Sequence, residues 1–274
     1  MAIPKLLLAT RGLFFGALVL MEGMGSGPIG AQTLAQVCAP ARAYESQEIP
    51  AGTVLPVRLD HGFSSKNATE GRRITGRIMQ DVPLPNHDKI PQGARVLGTI
   101  VAVTNAGAKG DGSISFRFDR IEIRHHTIPV VTSLRAIAGF MEVQFAQTPE
   151  ISPGFGTPYT WLTTRQIGGD EVYGVGGPVT DQWSNNVGKG VFGGVLVHVR
   201  THPGSKCRGP MDAEDRLQAL WVFSSDACGV YGMTGVTIAH AGRTGPLGEI
   251  VLTADHRDVL VRGASGLLLR VARQ

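Results

Sequence analysis

Alternation of apolar and polar residues is the dominant pattern in this chain, and it is clearest over residues 113–123. The apolar positions are Ile114, Phe116, Phe118, Ile121 and Ile123. Successive side chains of a strand point to opposite faces, so this pattern predicts a half-buried β-strand. The alternation slips by one residue near Arg120, which indicates a β-bulge there.

Two copies of the tetrapeptide Ile-Pro-x-Gly, at 49–52 and 90–93, each precede a run with strand character. Proline fixes its own φ and lacks a backbone N–H, so it belongs at or before the start of a strand. Glycine two residues later permits a tight turn. Residues 105–112 have the composition of a turn. Further strands are predicted over 53–59, 74–78, 95–103, 126–131, 140–145, 191–200, 236–240, 249–254, 259–262 and 266–271.

Helical signals are sparse by comparison. Asp212 can cap a helix, and Leu217, Leu220 and Trp221 follow at helical spacing, which predicts one short helix over 212–221. Short strands at near-regular spacing, separated by turn signals, favour an all-β fold, a mainly antiparallel barrel or sandwich. A βαβ architecture needs more helices than the pattern provides.

The first 31 residues have the layout of a secretory signal peptide. Lys5 and Arg11 supply positive charge around a short apolar segment, and Gly30-Ala31 offers small residues for cleavage. An uncleaved anchor and a lipoprotein modified at Cys38 are the alternatives. Cleavage predicts an exported protein that is periplasmic, associated with the outer membrane or extracellular, with no transmembrane span after removal of residues 1–31.

Cysteine use agrees with export. Cys207 and Cys228 lie in one region of the sequence, and in an oxidising compartment a disulfide between them is the simplest pairing. Two buried free thiols are the alternative. Cys38 remains without an assigned role.

The charge balance argues against a nucleic-acid partner. The formal net charge is +4 over 274 residues, and the basic residues are scattered, with Arg72-Arg73 as an adjacent pair. Nucleic-acid binding needs a clustered basic face. We expect no nucleic-acid partner and no cofactor.

Candidate metal ligands and nucleophiles occur without a convincing arrangement. His198, His202, Cys207, Cys228 and His240 are metal-capable, but no pair has the spacing of a tight zinc motif, so scattered histidines are favoured and no metal is predicted.

Cys228, His240 and Asp226 can in principle form a thiol triad, and Ser224 or Ser225 can replace the cysteine. A nucleophile elbow is missing from the sequence, and Cys228 is better explained by a disulfide.

Three aromatic residues fall in the glycine-rich middle of the chain: Trp161, Tyr173 and Trp183. Exposed rings on a β-surface suit glycan or peptide binding, whereas buried rings would fill a core. Core packing is the favoured interpretation, and binding through exposed rings is the alternative.

Residues 48–135 resemble the β-domain of TrbI-like proteins, which are scaffold components of type IV secretion and conjugation channels. The resemblance is carried by the order and spacing of Ile49–Val54, Phe63-Ser64-Ser65, Ile90–Gly98 and Phe116–Ile121. It implies a β-barrel that assembles into a ring in the outer envelope. The inner-membrane helix, proline-rich arm and helical antenna of that family have no counterpart here. The chain resembles more closely exported bacterial proteins that use this β-module alone, a group that implies no activity.

The predicted organisation has five parts. They are a signal peptide (1–31), a flexible lead (32–47), the TrbI-like β-module (48–135), a Gly/Pro-rich connecting region (136–190) and a C-terminal β region packed on the module (191–274). The function expected is that of a non-catalytic structural or interaction protein of the bacterial cell envelope. Its expected partners are envelope proteins or further copies of the chain. A glycan- or peptide-binding module and a cysteine-dependent hydrolase are the alternatives.

Overall fold

The computed structural model of the chain describes residues 48–108, 110–150, 162–200, 207 and 216–273. The predicted signal peptide, the lead with Cys38, and residues Trp161 and His202 lie outside the described residues. The described strands are β1 (Val54–Leu59), β2 (Phe63–Ser64), β3 (Arg73–Ile78), β4 (Val82–Pro83), β5 (Lys89–Ile90), β6 (Arg95–Thr104), β7 (Gly112–Ile123), β8 (His126–Pro129), β9 (Thr132–Ala138), β10 (Thr163–Arg165), β11 (Glu171–Tyr173), β12 (Pro178–Thr180), β13 (Asn186–Val191), β14 (Gly194–Val197), β15 (Gln218–Ala219), β16 (Gly229–Tyr231), β17 (Val236–Ala241), β18 (Ile250–Ala254), β19 (Leu260–Val261) and β20 (Gly266–Val271). One α-helix, α1 (Phe140–Ala146), and a 3₁₀ turn at Pro85–His87 complete the set within these residues.

Two sheets account for most of these strands, which confirms the predicted all-β class. The main sheet has ten strands in the order β16-β9-β20-β1-β3-β6-β7-β18-β17, with β8 paired to β7. The small sheet has six strands, in chain order from β10 to β15. Pairing is antiparallel in both sheets, except that β16 runs parallel to β9. The described strand path of the main sheet is open, ending on β16 and β17, so the arrangement is sandwich-like.

Strand β7 confirms the clearest sequence pattern. Its five alternating apolar residues are all buried at 2% exposure or less. Opposite β6, Leu97 pairs with Arg120 and Gly98 pairs with Phe118, so Asp119 is the extra residue of a bulge. The slip predicted near Arg120 is therefore confirmed as a β-bulge, and its extra residue lies one position earlier, at Asp119.

The two Ile-Pro-x-Gly segments fold into the same turn. Gly52 has φ 86° and Gly93 has φ 87°, a region that residues other than glycine rarely occupy. In each copy the residue after glycine donates its N–H to the proline carbonyl, at 3.2 Å. The turns then lead into β1 and β6, as the sequence predicts.

Strands β1, β9 and β20 form a middle layer that is buried on both faces. Leu55, Val57 and Leu59 of β1 enter the first core, enclosed by the main sheet, while Val54 enters a second core. The small sheet contributes to the second core through Val172, Val179, Val187, Val195 and Val197. Burial on both faces explains why the Leu267-Leu268-Leu269 run of β20 is continuously apolar.

Two buried glutamines join the main and small sheets across the second core. The side-chain oxygen of Gln80, which follows β3, accepts hydrogen bonds from the N–H groups of Val195 and Trp221, and its amide donates to the Val195 carbonyl. Gln218 of β15 accepts the N–H of Val54. Because buried backbone groups need partners, these amides replace ladder hydrogen bonds where the sheets meet.

The predicted helix position is wrong over the residues that can be compared. Residues 216–221 are extended or turning, with β15 at Gln218–Ala219, and residues 212–215 lie outside the described part of the chain. The helix lies instead at Phe140–Ala146, where the sequence favoured a short strand. Its buried residues, Val143 and Ala146, are three apart, which is the spacing of one helix face.

Residues 191–200 also differ from the single buried strand predicted for them. They hold the end of β13, a tight turn at Phe192-Gly193, and β14. The two strands pair antiparallel, with Gly190 opposite Val195. The segment is therefore the centre of a hairpin.

The predicted disulfide is confirmed, since Cys207 and Cys228 are joined with their Cα atoms 5.9 Å apart.

Strands from residues 48–135 and from 191–274 are interleaved in the main sheet, and residues 136–190 supply β10–β12 and most of β13. Among the described residues, no helix has both the length and the apolar character needed to span a bilayer.

Candidate binding surface

Two of the three predicted aromatic residues are exposed on the small sheet. Tyr173 ends β11, is 43% exposed, and donates its hydroxyl to the Glu171 carboxylate at 2.9 Å. Trp183 lies in the turn between β12 and β13 and is 57% exposed. Trp161 lies outside the described residues. Tyr173 adjoins the β11–β12 turn, so the two described rings lie at opposite ends of β12, a strand of about 10 Å.

A second group of exposed apolar side chains lies at the Tyr173 end of the small sheet. Val175, in the β11–β12 turn, is 50% exposed, and Phe192, at the tip of the β13–β14 hairpin, is 84% exposed. The two turns are joined by hydrogen bonds from Gly176 to Gly190 and from Gly190 to Gly177, each 2.9 Å. We call Tyr173, Val175 and Phe192 the apolar tip surface.

A small groove opens beside the apolar tip surface, at the end of the second core. It has a volume of about 280 Å³, and Val172, Trp221 and Gly194 are among its walls. Val191 and Gly193, the neighbours of Phe192, also line it. The residues that line the groove in the described structure carry no charge. The groove can therefore accept an apolar side chain without desolvating an ion.

The sequence singled out Tyr173 and Trp183 but favoured core packing for them, and it did not point to Val175 or Phe192 as surface residues. Phe192 falls within residues 191–200, for which the sequence predicts a buried strand. The pair Gly193-Gly194 was the available signal, since consecutive glycines after a strand mark a hairpin turn.

The acidic residues Asp170 and Asp181 lie at the end of the small sheet away from Tyr173, and both carboxylates already accept hydrogen bonds. The Asp181 carboxylate accepts the N–H groups of Trp183 and Asn185 and pairs with Arg200 at 2.7 Å. Burial by itself raises the pKa of Asp181, but these hydrogen bonds and the Arg200 charge outweigh it and hold the pKa below its ordinary value.

Asp170 behaves in the opposite way. It is 2% exposed and accepts the Ser225 N–H at 2.7 Å. Burial raises the pKa of Asp170, and the nearby charges of Asp226 and Asp181 raise it further, against the Ser225 hydrogen bonds. Asp170 thus supports the chain around Ser225 from the interior, with little access to solvent.

Among the residues that the structure describes, the side chains considered for a thiol triad or a metal site are not brought together. Cys228 is bound to Cys207, so it offers no thiolate. The His240 ring lies with Nδ1 2.6 Å from the Glu249 carbonyl and Nε2 3.2 Å from the Thr244 hydroxyl. The Ser224 hydroxyl donates to Asp226 at 2.8 Å. Within the described residues, no group of three or more His, Cys, Asp or Glu side chains has a geometry that could hold a metal ion.

No protein-family model matches this chain, and no curated protein is significantly similar to it. A functional proposal therefore depends on the surfaces and side chains described above.

Proposed function

We propose that this chain is an exported, non-catalytic structural or interaction protein of the bacterial cell envelope, and that it associates with a second copy of itself. The observation that carries the proposal is the apolar tip surface, where exposed Phe192 lies beside an uncharged groove. The signal-like first 31 residues, the disulfide and the resemblance of residues 48–135 to the TrbI-like module support the compartment.

A second copy suits this surface for three reasons. The groove of about 280 Å³ is at the small end for a ligand site but admits one aromatic side chain. Both the groove and the Phe192 hairpin tip are free of charge, so they match each other electrostatically. Because Phe192 borders its own groove, one twofold axis can place each Phe192 in the partner's groove, which gives an isologous contact.

Sedimentation equilibrium of the purified protein tests this association. We expect a monomer–dimer equilibrium that is weakened by Phe192→Ser. Burying a phenylalanine contributes about 1.5–3 kcal/mol, and a twofold dimer loses two, so the dissociation constant should rise roughly a hundredfold or more.

Leu247→Ser is the matched control, because Leu247 is 55% exposed but lies in the turn between β17 and β18. It should leave the equilibrium unchanged. A monomer at every accessible concentration, or equal effects of the two substitutions, would contradict self-association. Recovery of the full-length, uncleaved chain from the cytoplasmic fraction of the native cells would separately contradict export.

Glycan or peptide binding through the exposed rings is the second candidate function. The observation in its favour is that Tyr173 and Trp183 are about half exposed and are not part of either core. We expect a bound oligosaccharide or peptide to quench tryptophan fluorescence, and Trp183→Ala with Tyr173→Ala to abolish binding. A panel of envelope oligosaccharides and peptides that binds the double variant as well as the wild type would refute it.

A further inference from the structure

A cleft at the start of α1, whereas the groove lies at its end, has features that the self-association proposal does not use. Its volume is about 450 Å³, within the range of small-molecule sites. Three segments enclose it: the start of α1, the loop from Gly232 to Val236, and the loop and strand from Arg257 to Ser265. The cleft is therefore built by convergence of loops from distant parts of the chain, as binding sites often are.

One part of the cleft is apolar. Phe140 and Met233 line it, and Met141 and Leu260 stand at its rim with 44% and 51% of their surface exposed. Exposed methionine and leucine side chains next to a concave surface offer contact area for a flexible alkyl group. This part of the cleft favours a ligand with an apolar chain.

The other part of the cleft is cationic. Arg257 and Arg262 both line it and are exposed to solvent. Arg257 donates to the Thr234 carbonyl at 3.3 Å, and neither guanidinium group forms an ion pair with a described carboxylate. Elsewhere in the chain, Arg95 and Arg200 each lie 2.7 Å from an acidic partner. Two unpaired guanidinium groups beside one cleft favour an anion, for which they provide several donors.

Asp258, the acidic residue that lines the cleft, is hydrogen-bonded to residues that do not line it. Asp258 Oδ1 accepts hydrogen bonds from the Ser65 hydroxyl at 2.9 Å and the Ala106 N–H at 3.1 Å. Hydrogen bonds from Ala106 and Ser65 lower the pKa of Asp258, so it is ionised at neutral pH. Its charge partly offsets the two arginines, and the net charge of the cleft lining is positive.

One buried polar atom in the cleft wall lacks a partner. Ser265 is 1% exposed, and its hydroxyl makes no hydrogen bond in the described structure. The preceding residue, Ala264, has φ 62°, a strained value for a residue with a Cβ atom. A buried hydroxyl without a partner is unfavourable, so a ligand that supplied an acceptor would relieve this cost.

We propose that this cleft binds an amphipathic anion, a carboxylate carried on a short alkyl chain. The carboxylate lies between Arg257 and Arg262, with the Ser265 hydroxyl as a further donor. The alkyl chain lies against Phe140, Met141 and Met233. Binding is non-covalent and needs no cofactor.

Isothermal titration of the purified protein with sodium octanoate tests the proposal, with octyltrimethylammonium as the probe of equal chain length and opposite charge. We expect octanoate to bind and the cation to bind at least about tenfold more weakly. The double variant Arg257→Gln with Arg262→Gln should weaken octanoate binding by about tenfold or more, the effect of losing charge-assisted hydrogen bonds. Met141→Asp should weaken it as well.

Arg73→Gln is the matched control, because Arg73 is exposed on β3, away from the cleft, and has no ion pair within the described structure. It should bind octanoate like the wild type. Ser265→Ala should bind more weakly without loss of folding stability, since the hydroxyl has no partner in the free protein. Absence of octanoate binding, equal binding of the cation, or equal affinity in the control and the double variant would overturn the proposal. Equal affinity in Ser265→Ala would overturn the role given to the hydroxyl.

Discussion

Replacing Gln80 by leucine tests how the small sheet is held on the main sheet. Gln80 is 1% exposed and lies where the two sheets meet. Its side-chain oxygen accepts the Trp221 N–H at 2.5 Å and the Val195 N–H at 3.3 Å, and its amide donates to the Val195 carbonyl at 2.8 Å. Leucine has a similar size but can make none of these bonds.

The expected loss follows from which backbone groups are left without a partner. The Val195 carbonyl still accepts the Leu220 N–H at 3.2 Å, so it remains paired. The N–H groups of Val195 and Trp221 lose the partner that Gln80 supplies. A buried donor without a partner costs about 1–3 kcal/mol, so the free energy of unfolding should fall by about 2–6 kcal/mol.

The conformation of Trp221 adds to the expected effect. Its φ of 55° is in the left-handed region, which is unfavourable for a bulky residue and is maintained only by surrounding contacts. The Gln80 hydrogen bond is one such contact. A loss of several kcal/mol is a large share of the roughly 5–15 kcal/mol that stabilises a typical domain.

Urea unfolding, followed by tryptophan fluorescence and circular dichroism, measures the change through the midpoint and slope of the transition. Gln92→Leu is the control, because Gln92 has an exposed side chain in the turn before β6, and its effect should stay within about 0.5 kcal/mol. If Gln80→Leu lowered the unfolding free energy by no more than the control, the two sheets would not depend on this amide.

Two further changes probe the disulfide and the hydrogen-bonded carboxylate of Asp258. Cys228→Ser removes a crosslink between residues 21 apart, and the unfolding free energy should fall by about 3 kcal/mol in the chain-entropy account. Reductant should produce the same loss in the wild type and none in the variant, and a variant as stable as the oxidised protein would contradict this. Hydrogen bonds from Ala106 and Ser65 lower the pKa of Asp258 below its ordinary 3.8, so its stabilising effect is complete above that pH and is lost as the pH falls through the folded-state pKa. Asp258→Asn should therefore be less stable than the wild type at pH 7, with a difference that shrinks below pH 3.8 in acid titration of unfolding; a difference that did not change with pH would rule out the charge as its cause.

Local patterns were sufficient where one physical requirement dominates. Strand β7 was predictable because one face of it is buried, and alternation with period two follows directly. The Ile-Pro-x-Gly turns were predictable because the φ values near 86° need glycine at that point. The disulfide followed from two nearby cysteines in a chain for which the sequence predicts export.

Local patterns failed where burial is not periodic. Leu220, Trp221, Val222 and Phe223 are all buried, so the apolar spacing that suggested a helix over 212–221 reflects a chain segment enclosed on every side. The opposite error occurred at 140–146, where apolar residues at every second position concealed a helix whose buried face is only Val143 and Ala146.

The sequence by itself determined the β class, the main turns and the strand faces that enter the first core, because each depends on neighbours a few residues apart. It also determined the covalent crosslink, because Cys207 and Cys228 are 21 positions apart in a chain with few cysteines. Only the tertiary structure decided that β20 lies between β1 and β9, that Gln80 joins two sheets, and that Arg257, Ser265 and Met141 border one cleft. These arrangements bring together residues that are over a hundred positions apart, and no local pattern of polarity specifies which distant strands will pair.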